Sequence, residues 1–370
     1  MKFAIITYIE HAVYNGKFYS YEPYISEMNI WLNEVDEFMV LAPKINRKPL
    51  AGETAYIKDP VFAEVPALSF KGLTNILLSL FRTPLILMKI YRIFLEADHI
   101  HLRCPGNISL LGCIIQVFFP KRPKTVKYAG NWDPESDQPL SYRLQKWILN
   151  NRFLSRNIKV LVYGKWKNQS DNIIPFFTAS FSEEEKAPVN KEFDGTLKFM
   201  FVGSLSEGKR PLIAIKLVET LISQGVDASL KLYGNGVLLE ELEDYIKNST
   251  FSEAISIEGF RNKKELKQRY RESHFLVLPS KSEGWPKAVA EAMFFGCIPV
   301  ATNVSCVSWM MGEGERGVVI PADADPDQAK KIILDKLENR NALKVISKNA
   351  QKWSQQYTLE RFETEIRKFL

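Results

Sequence analysis

The stretch Pro279–Val300, PSKSEGWPKAVAEAMFFGCIPV, constrains this chain more than any other. An apolar run, Phe275-Leu276-Val277-Leu278, feeds it and reads as a buried strand. A short loop then opens a helix. Pro286 suits the first helical position, where its missing N–H would be unpaired anyway. Ser282 or Glu283 is expected at or near the cap, accepting orphan amide protons. Gly296 ends the helix, and Ile298-Pro299-Val300-Ala301 begins the next strand. Glu291 falls inside the helix among Ala288, Ala290, Ala292 and Met293, an odd place for a carboxylate that only needs water. The N–H groups and dipole of such a helix start favour a phosphate. Glu283 and Glu291, eight positions apart, can then accept hydrogen bonds from sugar hydroxyls. The plainer alternative is one Glu serving the dipole and a second on a solvated face.

A second block points the same way. Leu197–Gly203 is a strand ending in glycine, followed by Ser204-Leu205-Ser206-Glu207-Gly208-Lys209-Arg210-Pro211 and a periodic helix with Leu212, Ile215, Leu217, Leu221 and Ile222 on its apolar side. Strand, glycine turn and basic residue before a helix suit a diphosphate: backbone approaches closely at Gly203, and an ammonium supplies the counter-charge. An exposed lysine at a helix start is the structural alternative for Lys209. Two weaker strings follow, Leu230–Gly236 with Gly234-Asn235-Gly236, and Ile255–Phe260. Each alone is a common turn.

Together these strings resemble the retaining glycosyltransferases of family 4, whose pattern P-S-x-x-E-G-[FW]-P-x-x-x-x-E-A-M/L-x-x-G-x-P-V is matched here at nearly every position. The resemblance implies an α/β chain of GT-B type, with two Rossmann-like domains whose parallel sheets face a central cleft. It implies a UDP- or GDP-type nucleotide-sugar donor; no catalytic metal is expected, because Asp323 and Asp325 read as helix caps. Glu283 then contacts the transferred sugar, with Gly284, Trp285 and Pro286 beside it, and Glu291 binds the ribose. Lys209 falls on the lysine that binds the donor diphosphate, while Gly234, Gly236 and Phe260 lie near the base. Lys209 and Glu283 are the catalytic candidates. The family's F-V-G-R-L arginine is replaced by Ser204, which cannot act as a fixed bidentate cation; Arg210 or an arginine of the other domain would have to compensate.

A chain of 370 residues, 46% apolar and 25% charged, fits two globular domains. The expected boundaries are 1–175 for an acceptor-side domain and 176–358 for the donor domain. By the resemblance, a final helix within Leu359–Leu370 returns to the first. Cys104, Cys113, Cys297 and Cys306 lack metal spacing and read as free thiols of a reducing compartment. Met1–Tyr8 reads as a first strand, so a cytoplasmic protein is expected. Through Ser180 there are 22 Lys/Arg against 15 Asp/Glu, giving +7; beyond it, 27 against 28 gives −1. In that basic half, Leu68–Leu95 is apolar with basic punctuation, and Pro84 is expected to break it into a helical pair. Such helices commonly cover a parallel sheet; their basic rim also suits peripheral contact with an anionic membrane. Nucleic acid is a poor alternative, since no aromatic-basic interleaving stands out.

The first half alternates strand and helix: Phe3–Thr7, Tyr24–Leu32, Glu37–Ala42, a strand ending at Ile100–Arg103, a helix over Asn107–Phe119, and a strand over Thr125–Tyr128. Such alternation gives a parallel sheet, with ligands at the carboxyl ends of its strands. Glu10, His11, Arg103, Asn131, Trp132 and Asp133 therefore become cleft residues, and His11, Arg103, Asn131 and Trp132 the acceptor-side candidates. His101 is expected inside the sheet. Ser155–Gly164 is expected as the last strand before the join. Asp323-Ala324-Asp325 has the spacing of a metal-binding D-x-D but precedes a helix, where Asp caps. The leading reading is a retaining transferase acting on a glycan or lipid-linked oligosaccharide acceptor in cell-surface polysaccharide synthesis. A nucleotide-sugar epimerase of the same fold, or a non-catalytic nucleotide-sugar scaffold, are the alternatives.

Overall fold

The structure is a computed structural model describing residues 1–69, 72–188, 190–323 and 325–370. It divides into two compact units, Met1–Phe177 with Glu363–Leu370, and Thr178–Phe362.

In the first unit, seven parallel strands lie in the order Ile173–Phe176, Ile158–Tyr163, Lys124–Tyr128, His99–Cys104, Lys2–Ile6, Glu37–Ala42, Val61–Glu64. Counted along the chain, the order is 3-2-1-4-5-6-7, so direction reverses between Lys2–Ile6 and His99–Cys104. The central strands are buried on both faces, which is why they read as continuous apolar runs. Ala4, Ile6, Leu41, Ile100, Leu102, Val126 and Val160 form the core with Ile86, Ile90, Phe94 and Ile108 from two covering helices. Burying one such side chain contributes about 1.5–3 kcal/mol. The strand expected last, within Ser155–Gly164, is followed by one more, Ile173–Phe176, which is the edge strand of this sheet. At the far end of the chain, Arg367 pairs with Glu34 at 2.8 Å and Phe369 meets Phe176 edge-on.

Two expectations change here. Pro84 does not divide the apolar segment: Leu73–Glu96 is one helix with Pro84 inside it. Pro84 is exposed, and Thr83 Oγ1 donates to Ser79 O at 2.8 Å in the turn whose ladder the proline interrupts. Among the described residues this is the one helix long and apolar enough to cross a membrane by length and composition. Phe70 and Lys71 of the same apolar stretch lie outside the described residues. The segment after the first strand, whose Glu10 and His11 are expected at the cleft, continues as a hairpin. Its strands His11–Tyr14 and Lys17–Tyr21 join through Asn15 (φ 49°) and Gly16 (φ 75°). Two left-handed residues in a two-residue turn make type I′, which Asn-Gly favours. With Lys44–Asn46 and Glu53–Ala55 the hairpin forms a separate four-stranded sheet.

The second unit holds six parallel strands in the order Ile255–Gly259, Ala228–Tyr233, Leu197–Val202, Phe275–Leu278, Ile298–Thr302, Val318–Ile320. This is 3-2-1-4-5-6, the Rossmann order, reversing between Leu197–Val202 and Phe275–Leu278. The helix Lys287–Phe294 ends as Gly296 requires: Gly296, at φ 69°, donates to Met293 O, and Cys297 N to Ala292 O, which is a Schellman motif. Asp325 caps the helix Pro326–Leu337 by accepting from Gln328 N at 2.8 Å. Ala324 lies outside the described residues. All four cysteines are buried and free. The chain thus contains the two Rossmann-like domains of the expected GT-B class.

Candidate active site

A ligand of a doubly wound sheet sits at the carboxyl ends of the strands, where strand order reverses. In the second unit the two loops at that point are Gly203–Arg210, after Leu197–Val202, and Pro279–Pro286, after Phe275–Leu278. They are the two loops singled out by sequence. Lys281 N donates to Gly208 O at 2.8 Å, and Lys209 Nζ to Glu283 Oε1 at 2.5 Å. The Glu283 side chain keeps 7% of its surface and that of Lys209 29%, so the ammonium can still reach a second anion.

Arg210 has a different task from the one expected. Its guanidinium donates to the carbonyls of Pro279, Ser280 (3.2 Å) and Ala322 (2.9 Å). Its backbone is left-handed (φ 51°, ψ 50°), which costs a non-glycine residue about 1–2 kcal/mol. Charge-assisted bonds to three carbonyls offset that cost. Arg210 therefore fixes the loop that carries Glu283, and the Ser204 hydroxyl lies 3.1 Å from Ser206 Oγ.

The glycines hold neighbouring loops together. Gly203 N donates to Tyr233 O, Leu205 N to Asn235 O, and Gly234 N to Gly259 O. A Cβ on Gly234 (φ +152°) would lie 1.8 Å from Gly203 O, and one on Gly236 would lie 2.3 Å from Leu205 O. A Cβ on Gly203 would make only ordinary contacts. Gly234 and Gly236 are thus the glycines that allow this loop to pack closely on Gly203 and Leu205. Phe260 follows this row and is exposed.

Glu291 is held on both oxygens. Ser180 Oγ donates to Oε1 at 2.6 Å and Tyr270 OH to Oε2 at 3.0 Å. Burial, and then the Glu291 carboxylate itself, push the Tyr270 phenol well above its usual range, so it stays a donor. Tyr270 is fixed in turn by Lys191, whose Nζ caps the helix Lys263–Glu272 by donating to the carbonyls of Tyr270 (2.9 Å), Arg271 and Ser273 (2.7 Å). Ser180, Lys191 and Tyr270 carry no sequence signal that separates them from ordinary polar residues. Each carboxylate oxygen of Glu291 keeps a further lone pair for a hydroxyl.

The start of the signature helix differs from what was expected. The helix begins at Lys287 with Pro286 as the cap residue, and no side chain caps it, neither Ser282 nor Glu283. Trp285 is buried in an aromatic cluster, 6.2 Å from Trp353, 6.4 Å from Trp309 and 5.8 Å from Tyr357. The Gly284 carbonyl accepts from Cys306 Sγ at 3.1 Å.

The acceptor-side candidates of the first unit are mostly interior. His11 is fully buried, hydrogen-bonded to Ile9 O and Tyr56 OH at 2.9 Å each and stacked on Tyr56. Burial lowers its pKa to about 4, so it is a neutral core residue and not a cleft acid. Arg103 is buried against Glu27 and over the Tyr24 ring. Trp132 is buried edge-on to Tyr128, its Nε1 donating to Gln169. Asn131 accepts from Asp133 N at 2.9 Å and shapes its own loop. His11 and Ala12 open the strand HAVY and are both buried, although neighbouring strand residues point to opposite faces. The aromatic at this unit's own reversal point is Tyr8, exposed, whose ring lies where a Cβ on Gly106 would be at 2.3 Å.

Residues 182–353 match the family model described as glycosyl transferases group 1. An uncharacterized glycosyltransferase of Methanocaldococcus jannaschii is 27% identical over 49% of this chain and 50% of its own length. WcaL of Salmonella typhimurium, named for colanic acid biosynthesis as a glycosyltransferase, is 25% identical over 47% of this chain and 45% of its own. The chain spans about half the length of the curated relatives it matches. Among solved structures, Anabaena HepE in complex with UDP aligns over 100% of this chain and 99% of its own, with a TM-score of 0.69 at 15% identity. That likeness is one of fold, and it covers both units.

Proposed function

We propose, from the group 1 glycosyltransferase match over residues 182–353, that this protein moves a sugar from a nucleotide diphosphate donor to an acceptor hydroxyl with retention at the anomeric carbon. The observation that carries this reading is the Lys209–Glu283 pair at the strand-order reversal of the second unit, with Glu291 braced by Ser180 and Tyr270. HepE, which is similar in fold, is described with UDP and with UDP-glucose, which supports a donor of that class.

In the proposed reaction the bond from the anomeric carbon to the diphosphate oxygen breaks and its electron pair leaves with the diphosphate. Negative charge grows there, and Lys209 stabilises it more in the transition state than in the ground state. Glu283 accepts hydrogen bonds from the sugar and Glu291 from the ribose. The acceptor oxygen attacks the anomeric carbon from the departing side, and its proton goes to the leaving phosphate oxygen. The acceptor we infer is a glycan or lipid-linked oligosaccharide of surface polysaccharide synthesis, a reading supported by a relative, WcaL, named for colanic acid biosynthesis. No metal takes part in this scheme, so activity is expected to survive EDTA; complete loss restored by Mn²⁺ would contradict it.

The test is incubation with a panel of UDP- and GDP-sugars, following release of free nucleoside diphosphate. Release with one donor, accelerated by a glycan acceptor, is expected. Sugar interconversion without diphosphate release would indicate an epimerase, although His11, one of the few acids such an enzyme could use, is buried against Tyr56. Binding without turnover would indicate a scaffold.

A further inference from the structure

The helix Leu73–Glu96 has two apolar faces, and only one of them is used. Ile86, Ile90, Ile93 and Phe94 enter the core of the first sheet beside Ile6, Ile100 and Leu102. On the opposite side Leu73, Leu77, Leu80, Phe81, Met88 and Leu95 recur at helical spacing, and all are exposed, Phe81 at 87% and Leu73 at 81%. A surface helix of a globular protein normally turns charge to the solvent there. Exposed apolar stripes of this length mark an interaction surface. A second element extends it: Phe118 is exposed, and the segment behind it lies against the helix, with Phe119 5.3 Å from Tyr91 and Arg122 donating to Leu95 O at 3.2 Å.

We propose that this face docks on an anionic lipid bilayer, the helix lying in the headgroup region with its exposed stripe in the acyl boundary. This stands apart from the donor-site reading and does not rest on it. Charge decides the occupant. Arg92 flanks the stripe, Arg82 and Lys89 lie further round the helix and donate to Ala67 O and Glu64 O, Lys121 and Arg122 follow Phe118 in the chain, and the helix itself contains a single acid, Glu96. Cations rimming an apolar face complement anionic headgroups. A second copy of the chain is the poorer partner, because a twofold contact would set the same cations against one another. A membrane-spanning helix is poorer still. At 24 residues it is about 36 Å long, enough to span. Spanning would, however, pull Ile86, Ile90 and Phe94 out of the sheet they cover.

Co-sedimentation of the whole protein with vesicles tests the proposal. Binding is expected to vesicles of phosphatidylcholine with phosphatidylglycerol, at least about tenfold tighter than to phosphatidylcholine alone, and to weaken with added salt. Leu77→Ser with Phe81→Ser is expected to lower it by about tenfold or more, since both side chains are exposed and the fold does not depend on them. Arg92→Glu with Lys121→Glu is expected to abolish the preference for the anionic vesicles. Circular dichroism melts of both double variants should match the parent. Failure of the parent to bind anionic vesicles, or binding untouched by the apolar double variant, would overturn the proposal. So would a dimer in sedimentation velocity that the same variant dissociates, or resistance to alkaline carbonate extraction. Each of these readouts is independent of transferase activity.

Discussion

Lys209 Nζ donates to Glu283 Oε1 at 2.5 Å across the point where the second sheet reverses its strand order. The carboxylate is nearly buried while the ammonium is not, so the lysine can be shared with an incoming diphosphate but the glutamate cannot lose it without cost. Lys209→Ala is therefore expected to lower kcat/KM by about a hundredfold or more and to lower Tm as well. Glu283→Gln should behave differently. It removes the charge that neutralises Lys209, so nucleoside diphosphate affinity should be unchanged or tighter while turnover falls. Titration calorimetry and steady-state kinetics on both variants check this. A Lys209→Ala enzyme within a few-fold of the parent would take the pair out of the reaction.

The second carboxylate should respond to its braces. Glu291→Gln is expected to raise the dissociation constant for bare nucleoside diphosphate about tenfold to a hundredfold, the scale of a hydrogen bond to a charged acceptor. Tyr270→Phe removes the donor to Oε2 and should produce a smaller loss in the same direction, with little change in turnover of bound donor. Equal affinity in parent and both variants would make Glu291 a structural residue.

The donor-side unit was legible because its chemistry is local. Lys209, Glu283 and Glu291 sit on short loops and one helix whose strand-helix alternation fixes where they emerge. The braces were not legible: Ser180 lies 111 residues from Glu291 in sequence, and only the folded sheet brings them together. The carbonyl bonds of Arg210 were not legible either, because they depend on its left-handed backbone and on partners 69 to 112 residues away. In the first unit the error was local. Asn15-Gly16 is a strong hairpin signal, and reading it would have put His11 on a strand with an inward face. The long helix needed tertiary information, since a proline that would end an isolated helix is tolerated where one face is held by the sheet.

Trp285 gives a separable outcome. Packed among Trp309, Trp353 and Tyr357, it should affect stability before binding. Trp285→Ala is expected to cost about 3–5 kcal/mol in urea unfolding. Trp285→Phe, which keeps an aromatic in the cluster, should bind nucleotide-sugar within a few-fold of the parent. A selective loss of donor affinity in Trp285→Phe, with unchanged stability, would put the indole against the sugar.

All four histidines of the chain are held neutral by burial, and this fixes the sign of the acid response. His11, His99 and His274 are lowered to about 4 and His101 to about 3, in each case chiefly by desolvation. His99 and His101 share the Thr125 hydroxyl at 2.9 Å, and His274 Nδ1 accepts from Lys198 N. In the unfolded chain each titrates near the ordinary value of about 6.5. Between about pH 6.5 and 4 the unfolded state thus binds more protons than the folded one, and stability falls as pH falls. Each histidine adds at most about 1.4 kcal/mol per pH unit to that slope. Urea unfolding should change little close to pH 7 and weaken steadily below about 6. His274→Gln should flatten the acid limb for the second unit, and His101→Gln for the first, by roughly one histidine's share each. Stability that stays level from pH 7 to 5 would mean these rings protonate within the fold.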